Sequence, residues 1–322
     1  MWPDSGFSTM NLVEVEGVEL TSIVDNYVDI LLPSNEIAQR PKRVRDWYAK
    51  PQLIAEHGFS TTIGVDVKGK MRTILYDTAL GSNTAVHNAE ALGVDLSLCE
   101  ILVLSHGHID HTAGLSTVKD KLDRKKVTTV LHPHAFRKRK MIQDGTSWDI
   151  PPPNRKVMEQ CGYEILERKE PTEILDGRLL ITGEIERTTD FEKGLPVHYA
   201  EIDGKLEKDP LVLDDQALVM NLKNRGLVIV TGCGHAGLIN TVRYAQEITG
   251  VREVYALFGG MHLTGGLFEP IIPRTIDELR RIDPKIAIPC HCTGWKAVHE
   301  ISHSLPKAFI QNSVGTKYFL NA

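Results

Sequence analysis

The sequence predicts an α/β protein, because short apolar runs typical of strands alternate with segments of helical pattern along its 322 residues. The predicted strands occupy 20–24, 60–67, 72–76, 101–104, 127–131, 179–182, 217–222, 227–231, 254–258 and 286–289. The predicted helices are 83–92, 135–141, 238–248 and 274–282. Histidines follow several of these strands, and α/β sheets place functional residues at the carboxyl ends of their strands. A functional site is therefore expected at that edge.

Composition and charge narrow the class of protein. The chain is 42% hydrophobic and 25% charged, which is enough to bury a large core. A formal net charge of −5 gives no electrostatic footprint for nucleic acid. Five cysteines form an odd set without a disulfide pattern, so a cytoplasmic location is expected. We also expect no membrane anchor and no signal peptide, because no apolar stretch approaches the roughly 18 residues that a span requires.

The most informative segment is His106-Gly107-His108-Ile109-Asp110-His111, which directly follows the apolar run 101–104. Three imidazoles and a carboxylate after a buried strand each need a hydrogen-bond partner or a metal ion once they are desolvated. Imidazole is the commonest metal ligand, and a carboxylate completes a zinc or iron set. A chance cluster of solvated histidines is the alternative interpretation.

The spacing within this segment indicates two adjacent ions. His106 and His108 lie two residues apart, so in an extended loop they share a face and can bind one ion together. Asp110 and His111 fall where a helix is predicted to begin, so their side chains leave the backbone in another direction. That geometry suits a second ion nearby.

His-x-His-x-Asp-His after a hydrophobic strand resembles the signature of the metallo-β-lactamase-fold superfamily, and Asp77 matches the aspartate of the first motif of that family. Gly232-Cys233-Gly234-His235, Gly260-Met261-His262 and His291-Cys292-Thr293-Gly294 resemble one branch, the 7,8-dihydropterin-6-methyl-4-(β-D-ribofuranosyl)-aminobenzene-5′-phosphate synthase-like proteins. The resemblance begins near residue 20 and implies a four-layer αββα sandwich. We therefore expect a single domain over 1–322, with irregular insertions near 142–160 and 187–210.

The resemblance also implies a ligand set. It assigns His106, His108 and His235 to one ion, and Asp110, His111 and His291 to the other. Many relatives carry a bridging Gly-Asp where this chain has Gly232-Cys233, so Cys233 is an alternative ligand, and His198 is another for the first ion. His262 is expected either to face the substrate as an acid or hydrogen-bond donor, or to support a ligand from behind.

The predicted function is that of a dinuclear metal-dependent hydrolase. Two divalent ions, with zinc as the first expectation and iron or manganese as alternatives, would supply a metal-bound hydroxide and polarise the scissile group. Asp110 would orient the hydroxide and accept its proton. The expected substrate is an ester, phosphoester or amide of a small, anionic, for example phosphate-bearing, molecule. An iron-dependent redox enzyme and a non-catalytic ligand-binding or signalling protein are the alternatives.

Other charged and imidazole side chains are weaker candidates. His132 and His134 are expected to lie outside the site. The basic run 137–140 falls in a predicted helix over 135–141, where it is expected to be a solvated face. Lys296 is a candidate contact for an anion, and the stretch 187–210 is expected either to cover the site or to form a surface insertion.

Overall fold

The computed structural model describes residues 9–41 and 51–322. The helices are α1 (Thr84–Leu92), α2 (Ile109–Thr112), α3 (Leu115–Lys121), α4 (Arg155–Cys161), α5 (Leu238–Thr249), α6 (Ile272–Ile282) and α7 (Trp295–Ser304). The strands are β1 (Glu14–Val15), β2 (Gly17–Val24), β3 (Ala38–Gln39), β4 (Ser60–Val67), β5 (Lys70–Tyr76), β6 (Cys99–Val103), β7 (Val127–Leu131), β8 (Arg139–Gln143), β9 (Thr146–Ile150), β10 (Tyr163–Glu167), β11 (Thr172–Ile174), β12 (Leu179–Ile181), β13 (His198–Ile202), β14 (Lys205–Lys208), β15 (Ala217–Leu222), β16 (Gly226–Thr231), β17 (Val254–Gly260), β18 (Ile286–Cys290) and β19 (Lys317–Asn321).

Two large sheets carry the fold. The first, of eight strands, has the order β10-β7-β6-β5-β4-β2-β19-β3. The second, of seven strands, has the order β11-β12-β15-β16-β17-β18, and β1 pairs with β15 beyond the end of β12. The strands β5, β6 and β7 are parallel, as are β16, β17 and β18. The carboxyl ends of each parallel set therefore share one edge.

Alternation of apolar side chains along the strands produces the layers. In β15, Leu218 and Met220 enter a core shared with Val103 of the other sheet, whereas Val219 enters a second core with residues of α5, α6 and α7. In β6, Val103 faces the shared core, whereas Leu102 faces a third core with residues of α1, α3 and α4. Successive strand residues point to opposite faces, so each sheet has one face on its partner and one on helices. The predicted αββα sandwich is confirmed.

The predicted regular elements agree closely with the structure. The strands expected at 60–67, 127–131 and 217–222 have those bounds. The helix expected at 83–92 is α1, which ends where Gly93 adopts φ 68°, a left-handed cap that glycine accommodates without strain. Among the described residues, no helix is long and apolar enough to cross a membrane.

The segments expected to be irregular contain a third sheet, of order β14-β13-β8-β9. The expectation of irregular insertions near 142–160 and 187–210 was therefore wrong in part, since β9, α4, β13 and β14 fall within them. The helix expected over 135–141 was also wrong, because a short 3-10 turn over Pro133–Phe136 is followed by β8. Antiparallel pairing with β9 and β13 satisfies the backbone hydrogen-bonding groups of β8. This pairing outweighs the local helical preference of the sequence.

Candidate metal centre

The parallel strand ends bring the predicted site residues together. The loop after β6 supplies His106 and His108, and the turns after β16 and β18 supply His235 and His291. The ring centroid of His106 lies 4.5 Å from that of His108 and 4.8 Å from that of His235. These four imidazoles are buried. The centre is thus built from both sheets at the edge where functional residues were expected.

One group of possible ligands contains Asp110, His111, Cys233 and His291, whose donor atoms lie within 4.8 Å of one another. The Nε2 atom of His291 is 3.3 Å from Asp110 Oδ2, and the Nε2 atom of His111 is 3.2 Å from Cys233 Sγ. Three of the residues match the predicted set for one ion. Cys233 joins them from the position where many relatives have the bridging aspartate.

A second group contains His106, Cys233 and His235. The His108 ring lies 4.8 Å from that of His235, and its Nε2 atom is 3.0 Å from His198 Nε2. His198 Nδ1 is 2.8 Å from the carbonyl oxygen of Asp209, which requires a proton on Nδ1 and leaves the lone pair on Nε2. Both third-ligand candidates, His235 and His198, therefore lie beside His108.

Asp77 and Ser105 fix the orientation of two of these rings. Ser105 Oγ donates to Asp77 Oδ2 at 2.7 Å, so it accepts from His106 Nδ1 at 2.9 Å. Asp77 Oδ2 also lies 2.6 Å from His111 Nδ1. Each Nδ1 thus holds its proton, and the lone pair of each Nε2 points into the centre. A carboxylate behind a histidine in this way fixes the tautomer of a metal ligand.

The close approach of the two sheets at this point requires a glycine. A Cβ atom at Gly232 would lie 2.2 Å from Ser105 Oγ and 2.9 Å from Asp77 Oδ2. Gly232 follows β16 directly and precedes Cys233. Its missing side chain therefore lets the Asp77 and Ser105 pair pack against the turn that carries Cys233 and His235.

The last ligand candidate is held by the turn after β2. The Asp25 carboxylate accepts from the backbone N–H of His291 at 2.6 Å and from the Asn312 amide at 2.6 Å. His291 has φ 47°, a left-handed conformation that a non-glycine residue adopts only when its surroundings impose it. The Asp25 contact thus holds the backbone in the conformation that directs the imidazole toward Asp110.

Several buried imidazole nitrogens in the centre have no hydrogen-bond partner among the residues that the structure describes. They are His106 Nε2, both ring nitrogens of His235, His262 Nδ1 and His291 Nε2. Unpartnered buried polar atoms are costly and therefore rare. Nitrogen, thiol and carboxylate donors that converge in one place are the set that zinc binds. The donor chemistry of this centre therefore fits divalent metal ions.

The electrostatics of His106 and Asp110 favour the protonation states that bind metal ions. Burial and the neighbouring histidines hold the pKa of His106 well below its usual range. Burial alone would raise the pKa of the Asp110 carboxyl, but His111 and His291 lower it below its ordinary value. A neutral imidazole and an ionised carboxylate are the forms that bind metal ions.

His262 borders the centre from the turn after β17. Its ring centroid is 4.1 Å from that of His235, and it forms a further group with Cys233 and Cys292, whose donor atoms lie within 4.8 Å of one another. Like His291, it has a positive φ, of 43°. Cys292, which adjoins the predicted ligand His291, was not identified from the sequence as a possible metal ligand.

Other candidates lie apart from these groups. His132, His134 and Glu184 form a separate group, in which His132 Nδ1 accepts the backbone N–H of His134 at 3.1 Å. His132 Nε2 then carries the ring proton and lies 2.9 Å from Glu184 Oε1. The lone pair of the neutral ring is on Nδ1, where it already accepts from His134, so it is not available to an ion. Lys296, the candidate anion contact, pairs with Glu269 at 3.0 Å.

The basic run 137–140 does not form the solvated helical face that the sequence predicted. Arg139 is buried in β8, where its guanidinium binds Asp209 and both carboxylate oxygens of Asp214. Asp214 Oδ2 also accepts the backbone N–H of Gly107 at 2.9 Å. Arg139 therefore stabilises the loop between His106 and His108 indirectly. No local pattern in the sequence indicates this long-range contact.

Comparison with known proteins identifies the family. The Metallo-beta-lactamase superfamily model matches residues 58–200. An uncharacterized protein of Methanocaldococcus jannaschii is 31% identical over 257 residues, which cover 79% of this chain and 90% of that protein. The 7,8-dihydropterin-6-methyl-4-(beta-D-ribofuranosyl)-aminobenzene-5'-phosphate synthase of the same organism is 28% identical over 298 residues, or 89% of this chain and 92% of the synthase.

Solved structures show the same fold. The crystal structure of Tm1679, a metal-dependent hydrolase of the beta-lactamase superfamily, aligns with a TM-score of 0.71 at 22% identity and covers 95% of this chain and 100% of that one. The metallo-beta-lactamase fold protein YhfI from Bacillus subtilis aligns with a TM-score of 0.52 at 9% identity, covering 94% and 100% of the two chains. The four layers, the His-x-His-x-Asp-His loop and these matches show that the chain belongs to the metallo-beta-lactamase superfamily.

Proposed function

We propose that this protein is a dinuclear metal-dependent hydrolase that acts on an ester, phosphoester or amide of a small anionic molecule. The observation that carries the proposal is the convergence, beside Asp110 and Cys233, of buried imidazole nitrogens that have no hydrogen-bond partner in the described residues. His106, His108 and His235 are proposed to hold one ion. Asp110, His111 and His291 are proposed to hold the other.

Cys233 is the alternative to His235 in this ligand set. It belongs to both groups of donor atoms that correspond to the two ions. A single thiolate placed in this way could contact either ion or both, as a bridging carboxylate does in many relatives. His235 and Cys233 are therefore alternatives that metal analysis of variants must separate.

Two divalent ions, when bound, would lower the pKa of water and polarise a carbonyl or phosphoryl oxygen. The protein residues orient and exchange protons around that chemistry. Asp110, whose side chain is 17% exposed, is proposed to accept a proton. His262, whose Nδ1 has no hydrogen-bond partner in the described part of the chain, is proposed to donate to the leaving group or to hold it.

The test is a panel of phosphodiester, phosphomonoester, carboxylic ester and amide substrates with zinc-loaded protein. We expect Asp110→Asn to lower turnover by about 100-fold or more, because it removes a positioned acid-base group. Asp66→Asn, which changes a half-buried aspartate at the far end of β4, is the matched control. Near-normal turnover by metal-loaded Asp110→Asn protein would contradict the assigned role.

The name of one relative favours a second candidate. The protein that is 28% identical is a synthase whose product name contains a 5'-phosphate. A reaction in which an organic acceptor replaces water would use the same centre. Product analysis with and without added alcohol or amine acceptors separates transfer from hydrolysis, because transfer yields a new ester or amide and hydrolysis yields an acid.

A further inference from the structure

His57 lies at the mouth of the candidate metal centre, although it belongs to none of the motifs. Its ring centroid is 4.8 Å from that of His291, and its Nε2 atom is 3.7 Å from Asp110 Oδ2. The side chain is 59% exposed, in contrast to the buried imidazoles behind it. It is therefore placed where a molecule that enters the centre would meet it.

The backbone around His57 is held firmly. The Glu56 carboxylate accepts from the backbone N–H groups of Leu80 and Gly81 at 2.9 and 2.8 Å. On the other side, the Phe59 N–H donates to the Asp110 carbonyl oxygen at 3.1 Å. A Cβ at Gly58 would lie 2.7 Å from Leu80 N, so only glycine fits there. These contacts place the His57 imidazole on a fixed turn.

Asn26 determines which ring nitrogen of His57 carries the proton. Its Oδ1 atom lies 3.2 Å from His291 Nδ1, and its Nδ2 atom lies 3.1 Å from His57 Nδ1. The amide nitrogen only donates, so His57 Nδ1 accepts and the proton of the neutral ring is on Nε2. His291 Nδ1 correspondingly donates to the amide oxygen, which leaves His291 Nε2 free to bind an ion.

We propose that His57 is a substrate-binding residue that donates its Nε2–H to an anionic oxygen of the ligand beside Asp110, with Asn26 as the positioning residue that fixes this tautomer. The proposal rests on the proposed function, because it requires an anionic molecule to enter the centre. It assigns a role to a residue outside the ligand set. One amide thereby sets the proton position on a candidate metal ligand and on a substrate contact.

Nitrogen-15 NMR of the zinc-loaded protein tests the tautomer directly. The wild-type spectrum is expected to show His57 protonated on Nε2 and unprotonated on Nδ1. In Asn26→Ala protein, where Nδ1 loses its donor, both tautomers of His57 should appear. A wild-type ring protonated on Nδ1, or an Asn26→Ala spectrum identical to wild type, would overturn the role of Asn26.

Titration of the same zinc-loaded protein with inorganic phosphate tests the binding role. His57→Phe is expected to weaken phosphate binding about tenfold, and His57→Gln, which retains an N–H donor, should restore part of the loss. His303→Phe, in the last turn of α7, controls for loss of an exposed imidazole. Zinc content and circular dichroism should match wild type in all variants.

The outcomes also separate this proposal from the proposed function. Phosphate binding that depends on His57 in a protein that hydrolyses no substrate would retain the binding site and reject the hydrolase. Hydrolysis with an unchanged KM and unchanged phosphate affinity in His57→Phe would reject the binding role alone. Failure of zinc-loaded wild-type protein to bind phosphate would also overturn the role of His57.

Discussion

His106 and His111, in the first half of the chain, are held at the candidate metal centre differently from His235, in the second half. In the first half, His106 and His111 each direct Nδ1 to Ser105 or Asp77 and Nε2 to the centre. In the second half, neither ring nitrogen of His235 has a hydrogen-bond partner within residues 9–41 and 51–322. The first set is oriented by the protein before any ion binds, whereas the position of His235 depends more on the ion itself.

Cys233 widens this difference. It belongs to three of the four groups of donor atoms in the described residues, with His235 in one, His291 in another and His262 and Cys292 in a third. The donor atoms around this thiol thus allow more than one arrangement of ligands. The second half is therefore where this chain is expected to differ from relatives that have aspartate at the same position.

The largest expected effect comes from the contact that joins the halves, between Arg139 and Asp214. Arg139→Met leaves a buried carboxylate without its partner, and we expect a loss of about 3–5 kcal/mol in the free energy of unfolding. Denaturant unfolding measures it. Arg72→Met, which removes a half-buried pair with Glu100, is the control and should cost about 1 kcal/mol or less. Equal losses in both variants would show that Asp214 needs no charged partner.

The orientation of the first half can be tested at Asp77. Asp77→Asn weakens the partner of His111 Nδ1 and the acceptor of Ser105 Oγ, so we expect zinc affinity to fall by about 10- to 100-fold. Competition with a chromogenic chelator measures the affinity. An unchanged affinity in folded Asp77→Asn protein would mean that the first-half ligands need no support from behind, and the contrast between the halves would fail.

A smaller and more selective effect is expected in the second half. If His235 is a ligand and Cys233 only packs, His235→Ala should lose one ion while Cys233→Ser retains both. Metal content measured for the two variants decides between them. Cys99→Ser, which changes a buried thiol at the opposite end of β6 from His106, is the matched control. Loss of metal in Cys233→Ser alone would assign the missing bridging position to the thiolate.

The same contrast explains what the sequence could predict. Strand periodicity placed β4, β7 and β15 within their observed bounds, and the spacing of His106, His108 and His111 indicated a metal site. These signals are local. Other features arise from tertiary packing over long separations in the sequence. They are the contact of Asp214 with Gly107, the placement of Asn26 between two imidazoles, and the strand β8. No periodicity or short motif encodes such contacts.

Metal analysis of the purified, zinc-loaded protein tests the dinuclear centre most directly. The two sets of donors predict about two ions per chain in the wild type and about one in His111→Ala, because that change removes a ligand from only one set. Elemental analysis of both proteins under the same loading conditions gives the two values. A wild-type stoichiometry of one that persists after loading, and is unchanged in His111→Ala, would contradict two ions at this centre.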